Sequence, residues 1–368
     1  MSRNVTVRTA QRTLEVRWGN EVQTVPIDWL WEGWLPRGVV AVLDGDPGLG
    51  KSSLALDLIA RITTGREFPK GELGTPNSEL GTAVRDPRCC VVVALEDPID
   101  KVVKPRLEAA GADVGWVAFL GGVREEGPDG QVADLLQLPR DLDLIVNLCR
   151  QVRPALLVID PLFAVLGYDK RGRFIKANDD QSVRQLLARL KTLAEETETT
   201  ILLIRHLNKA SSGTALKRGS GTIAISGLAR AALIVGRDPD DESKRVLAMV
   251  KSNFGIEPPS WRYALRGAGA TSRVEWLGEC ELKPDDLVQS ISAEKRASAR
   301  LLEAQDFLET TLEDGAKPWE MLVEQAAAEG ITERTLRRAR VEMRLEKFRW
   351  RNDVSWRLPF HLQPYNEP

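Results

Sequence analysis

Apolar positions along the 368-residue chain fall into short unbroken runs separated by segments of helical spacing. The runs at 39–43, 89–95, 155–159, 199–204 and 245–250 read as strands buried on both faces. Between them apolar residues recur every three to four positions. Leu54 and Leu58 follow the first run, Ile99, Val102, Val103 and Leu107 lie within 99–111, and Val183, Leu186, Leu187, Leu190, Leu193 and Ala194 lie within 182–196. A further short strand is expected at 116–120. This alternation from 39 to 253 predicts an α/β core, a mostly parallel sheet with helices on both faces. Weak alternation at Val5, Val7, Leu14, Val16 and Trp18 predicts a short hairpin. The Gly-, Pro- and charge-rich stretch 63–88 and the polar stretch 168–181 predict surface excursions, and 210–222 a mobile loop.

From about 283 the pattern changes. Helices are expected at 293–312, 318–328 and 333–346, the third capped by Thr332 with Leu336, Ala339 and Met343 on one face. Alternation on either side of Asn352-Asp353 predicts a hairpin. Helix, turn, basic helix and hairpin spell a small winged helix-turn-helix. The expected organisation is an N-terminal arm at 1–26, the α/β core at 27–285, a linker and helix start at 286–300, the winged helix-turn-helix at 301–360 and a tail at 361–368.

Composition narrows the class only a little. With 43% hydrophobic and 28% charged residues the chain reads as a globular protein with ample core material. No apolar run reaches bilayer-spanning length and Met1-Ser2-Arg3-Asn4 leads into no signal-peptide core, so a cytoplasmic protein without membrane contact is expected. Cys89, Cys90, Cys149 and Cys280 form no C-x-x-C pair and are expected to be reduced packing residues. The net charge of −2 says nothing of nucleic acid, but its distribution does. Residues 333–357 hold nine Lys/Arg against four Asp/Glu, whereas 291–329 hold four against nine. Positive charge therefore gathers on the third helix and hairpin, with Arg334, Arg337, Arg338 and Arg344 on the face that would meet DNA.

The chemistry centres on Gly45-Asp46-Pro47-Gly48-Leu49-Gly50-Lys51-Ser52-Ser53, which fits G-x-x-x-x-G-K-[ST] between a strand and a helix. Gly45, Gly48 and Gly50 let backbone N–H groups close around a polyphosphate, and the helix beginning near Lys51 aims its dipole at the same anion. Lys51 would reach the β- and γ-phosphates and the Ser52 hydroxyl would ligate Mg²⁺. Two further strands end in acids, 89–95 at Glu96-Asp97 and 155–159 at Asp160; Asp160 would steer Mg²⁺ or its water shell. Trp29, Trp31 and Trp34 are expected to pack beneath the first strand, with contact to a base or a neighbouring subunit as the other reading.

These stretches, taken in order with 105–113, Arg205-His206-Leu207-Asn208-Lys209-Ala210, Arg218-Gly219-Ser220-Gly221, Leu228-Ala229-Arg230 and Val250-Lys251-Ser252-Asn253, resemble the RecA-like ATPases typified by the plasmid replicative hexameric helicase RepA. The resemblance covers about 27–260 and does not include the C-terminal winged helix. It implies an ATP hydrolase using Mg²⁺, assembled as a ring, a hexamer by the family's pattern, and acting as a DNA helicase or single-strand translocase in replication of a mobile element. It implies that Glu96 polarises the attacking water, that Asp160 is the Mg²⁺-linked acid, and that His206 senses the γ-phosphate. Arg230 matches the family's arginine finger, supplied to the neighbour's ATP. Lys251 stands where related helicases place a second trans-acting cation, but Asn253 replaces the arginine that usually follows. Lys209, Lys217 and Arg218 would line a channel for single-stranded DNA. Two other readings stand beside this one: an ATP-dependent regulator whose winged helix reads a duplex site, and a non-catalytic nucleotide-gated scaffold.

Overall fold

The computed structural model describes residues 7–8, 13–14, 16, 18–70, 88–127, 130–169, 171–177, 179–207, 223–255, 257–269, 271–350 and 353–359. The chain divides into two compact units, Met1–Val235 with Lys244–Glu281 and Gly236–Ser243 with Leu282–Pro368. The first is built on a nine-stranded sheet. Its strands are β1 (Val40–Gly45), β2 (Cys90–Ala94), β3 (Val117–Leu120), β4 (Leu156–Asp160), β5 (Thr200–His206), β6 (Ala231–Arg237), β7 (Lys244–Ser252), β8 (Ser260–Ala268) and β9 (Thr271–Cys280). They lie in the order β9-β8-β7-β6-β1-β5-β4-β2-β3. From β6 to β3 the neighbours run parallel. The pairs β7–β8 and β8–β9 are antiparallel.

The apolar runs become central strands because both of their faces are covered. Every residue of β1 and β2 is buried. One face packs on α1 (Lys51–Thr64) and α2 (Lys104–Ala109) together with β8 and β9. The other packs on α3 (Leu142–Val152), α4 (Asp180–Thr197) and α5 (Ile223–Leu228). The order places β1 between β5 and β6, so the strand that feeds the phosphate loop is flanked on both sides by parallel strands. Carboxyl ends of β2, β4, β5 and β1 therefore lie side by side, the edge at which open α/β sheets bind ligands. Trp31 and Trp34 are buried and stacked at 4.9 Å between ring centroids, while half-buried Trp29 meets Phe254 edge-on at 6.2 Å. Packing thus accounts for the tryptophan cluster.

The expected helices and strands of the core are present with shifted limits, while 71–87 of the expected excursion and the loop expected at 210–222 lie outside the described residues. The N-terminal hairpin pairs Val7–Arg8 with Thr13–Leu14. The hairpin Val123–Gly127 with Gly130–Asp134, α3, and the β8–β9 hairpin had no counterpart in the sequence reading.

The second unit contains α6 (Pro284–Leu312), β10 (Lys317–Pro318), α7 (Trp319–Ala328), α8 (Glu333–Glu342), β11 (Glu346–Trp350) and β12 (Asp353–Arg357), with the three strands in the order β10-β12-β11. Its own core joins Leu301, Ala304, Leu308, Leu322, Leu336, Ala339 and Leu358. Three expectations need correction here. The segment 286–300, expected as a linker and helix start, is helical throughout: α6 starts at Pro284 rather than near 293, and the Asp286 carboxylate accepts from the Lys283 N–H at 2.8 Å, closing the first turn. The third helix stops at Glu342, so Arg344 is not on it. Arg344 takes a left-handed φ of 54°, and the Leu345 N–H returns to the Arg340 carbonyl at 3.1 Å, which turns Leu345 into the core. Asp353 is itself a strand residue paired with Trp350, so it does not belong to the turn expected at Asn352-Asp353; Asn352 lies outside the described residues.

Candidate active site

Beyond β1 the chain turns through Asp46–Gly50 with Gly48 and Gly50 at φ of 77° and 82°, left-handed values that a side chain resists. A Cβ on Gly45 would stand 2.8 Å from the Val235 carbonyl of β6, so that position admits only glycine for a second reason. Helix α1 begins at Lys51 and directs its N-terminal dipole into the loop. The Lys51 ammonium is curled into the loop, donating to the carbonyls of Gly45 at 2.9 Å and Asp46 at 2.8 Å. It also lies 3.3 Å from His206 Nδ1 at the end of β5. Burial pulls the Lys51 pKa down to about 8, against the attraction of Asp160 and Asp46. Burial and the Lys51 charge lower the His206 pKa, and since an ammonium can only donate, Nδ1 is the acceptor of this contact.

Beside the loop, Ser52 stands next to Asp160 at the end of β4, near enough to act on its carboxyl. Ser52, Asp160, Glu96, Asp97 and Arg106 line one pocket, with Val92 and Val158 of the sheet as its floor. Burial pushes the Asp160 carboxyl up, and the Ser52 hydrogen bond and Lys51 oppose that shift. Glu96 is exposed at the mouth, while Asp97 is tied to Arg106 at 3.0 Å. Among the described residues no group of three or more His, Cys, Asp or Glu could hold a metal by itself. A hydroxyl and one acid backed by further carboxylates suit Mg²⁺ instead, which takes few protein oxygens and shares substrate phosphates.

Arg230 joins α5 to β6. Its side chain is exposed and does not line that pocket. Lys209, Lys217 and Arg218 lie outside the described residues. On α8, Arg334 is exposed, whereas Arg337 pairs with Glu333 at 2.7 Å and Arg338 with Glu342 at 3.1 Å. Exposed pairs of this kind are screened by solvent and exchange readily.

Three features escaped the sequence reading. Arg106 closes one side of the pocket. The Tyr263 hydroxyl of β8 donates to the Leu49 carbonyl at 3.1 Å, and Leu265 packs so near Gly50 that a Cβ there would meet it at 2.8 Å. Asp44 and Arg205 stand opposite one another in the β1–β5 register and form a fully buried bidentate pair at 2.9 and 2.7 Å. Arg205 also donates to Ser226 Oγ of α5 at 2.9 Å. One acid and one guanidinium inside two otherwise apolar runs were the signal for that pair.

A model of the AAA domain family matches residues 6–212, more than half of the chain. The chain belongs to this family. Its core is an AAA domain, with the phosphate loop leaving the strand flanked by β5 and β6. Among solved structures, it is similar to a KaiC-like protein from the hyperthermophilic archaeon Pyrococcus horikoshii OT3, at 16% identity over 68% of this chain and 100% of that one, with a TM-score of 0.43. No curated protein matches the chain. The AAA-family match ends before Arg230, so α5, β6–β9 and the second unit lie beyond it.

Proposed function

We propose that this ATPase is a Mg²⁺-dependent ATP hydrolase that works as a ring and moves single-stranded DNA, as a RepA-like helicase or translocase of a replicating mobile element. The observation that supports hydrolysis most directly is the Ser52–Asp160 pair in one pocket with Glu96, next to the glycine-framed loop. In this reading the loop amides and Lys51 hold the β- and γ-phosphates. Lys51 gives up its two loop carbonyls for phosphate oxygens. Ser52 and Asp160 hold Mg²⁺, which when bound offsets phosphate charge. Glu96, free of any ion pair that would quench it among the described residues, orients and polarises the attacking water. His206, touching Lys51, registers whether the γ-phosphate has drawn the lysine away and passes this to the segment that follows, where Lys209, Lys217 and Arg218 hold the strand. Arg230, exposed and outside its own pocket, serves the ATP of the next subunit.

The deciding experiment is the ATPase rate with and without single-stranded DNA, alongside the mass of the assembly in ATP. Stimulation that collapses with added salt supports the motor. ATP bound and left intact would leave only a nucleotide-gated scaffold.

A second reading rests on the C-terminal unit. The α7–turn–α8 pair followed by the β11–β12 hairpin has the element order of a winged helix-turn-helix, and Arg334 is exposed on the helix that would enter a groove. A regulator of this kind would respond to one duplex sequence rather than to single strands.

A further inference from the structure

Lys251, at the end of β7, spends its ammonium on the last turn of α5. It donates to the carbonyls of Ser226 at 3.2 Å, Gly227 at 3.0 Å and Ala229 at 3.0 Å. Three acceptors saturate the three donors of an ammonium. The carbonyls are those a helix leaves unpaired at its C-terminus, where a cation is also favoured by the dipole. One residue on, Arg230 is pinned from both sides. Its N–H donates to the Val40 carbonyl of β1 at 3.0 Å, and its carbonyl accepts from the Asn253 N–H at 3.1 Å. From below, Arg205 grips Ser226 of the same short helix while paired with Asp44 at the root of the phosphate loop. The helix before Arg230 is therefore fixed at its side chain by β5 and at its carbonyl end by β7.

We infer that Lys251 is a positioning residue for Arg230: it locks the α5 terminus and sets the exit of the guanidinium toward a neighbouring copy, rather than acting as a second cation on that neighbour's phosphates. The inference rests on the finger role proposed above for Arg230. Two observations agree with it. Burial and the Arg230 charge both lower the Lys251 pKa, as expected of a lysine held by three carbonyls beside the residue it positions. Asn253 stands where an arginine would supply a further cation, and its backbone instead completes the clamp on Arg230.

The test is a double-mutant cycle in the full-length chain, reading kcat, KM for ATP and the thermal midpoint. Lys251→Met is expected to lower kcat about tenfold or more with KM unchanged, because the loss falls on an interaction made only in the transition state. In an Arg230→Ala background the same change is expected to cost nothing further, since there is no guanidinium left to aim. Lys251→Arg, which keeps donors for the carbonyls, is expected to recover part of the turnover. Multiplying losses in the double variant would make Lys251 an independent trans-acting cation and overturn the inference. A lowered midpoint with unchanged kcat would make the clamp merely structural and overturn it too. Should Lys251→Met not fold, Lys251→Gln carries the same cycle. If Arg230→Ala alone keeps full turnover, the finger role falls and this inference with it; if Arg230→Ala loses turnover while the Lys251 variants keep it, the finger role stands and only this inference falls.

Discussion

At the scale of single residues, the phosphate loop before nucleotide arrives is held by its own lysine. Lys51 is folded onto two carbonyls and an imidazole, with its pKa near 8. A polyphosphate beside the ammonium restores the charged form, so binding near pH 8 is expected to take up a proton. Calorimetry in buffers of different ionisation enthalpy should show buffer-dependent heat there and little at pH about 6, where Lys51 is already charged by the ordinary titration of such a group. Lys51→Ala should remove both the uptake and nucleotide binding. The same shift bears on stability. Folding lowers this pKa, so the unfolded chain holds the proton to higher pH. The penalty of burying the charge is full below about 8 and fades as pH rises toward the unfolded value of 10.5. Arg230→Ala should bind ATP normally yet lose turnover by about 10³ or more. Mixing it with Glu96→Gln subunits should restore activity, because each then supplies what the other lacks. Failure of every mixture to recover would remove the shared-site model.

At the scale of elements, the strands were the legible part of the sequence, because a strand buried on both faces is apolar along nearly all of its length. The Cys90–Ala94 and Leu156–Asp160 strands show this directly. Glu96 and Asp160 were placed by the same logic, each standing where such a strand ends at the ligand edge, and Ser52 by the phosphate-loop pattern that opens α1. What stayed hidden was carried by pairing between distant segments. Nothing local to Asp44 or Arg205 says that 161 positions of chain close between them. Helix α3 did carry a helical spacing, with Leu142, Ile145 and Cys149 buried, but Leu144 and Val152 are exposed apolar residues that blur it. The end of α8 was missed because Arg344 and Leu345 continue a good helix-forming composition, and only the burial of Leu345 requires the turn. Arg205→Met, which leaves Asp44 buried without its partner, is expected to destabilise the first unit by about 3–5 kcal/mol in denaturant melts. A loss under about 1 kcal/mol would mean that the pair is solvated.

At the scale of the whole molecule, the two units divide the proposed work. Changing Arg334 and Arg344 together to Glu should weaken duplex binding and leave basal ATPase intact, as read by a salt-resolved binding isotherm beside a turnover assay. Loss of ATPase in that variant would mean that the second unit is needed for the chemistry itself. One consequence follows from where β1 lies. The family match stops at residue 212, but the strand that carries the phosphate loop has its second parallel neighbour, β6, beyond that point, and so do Tyr263 and Leu265. A fragment trimmed to the matched segment would turn the most central strand of the sheet into an open border, its N–H and C=O groups bare and ready to recruit other chains. Such a piece should precipitate rather than bind nucleotide, which makes the recognisable part of this protein smaller than the part able to exist alone.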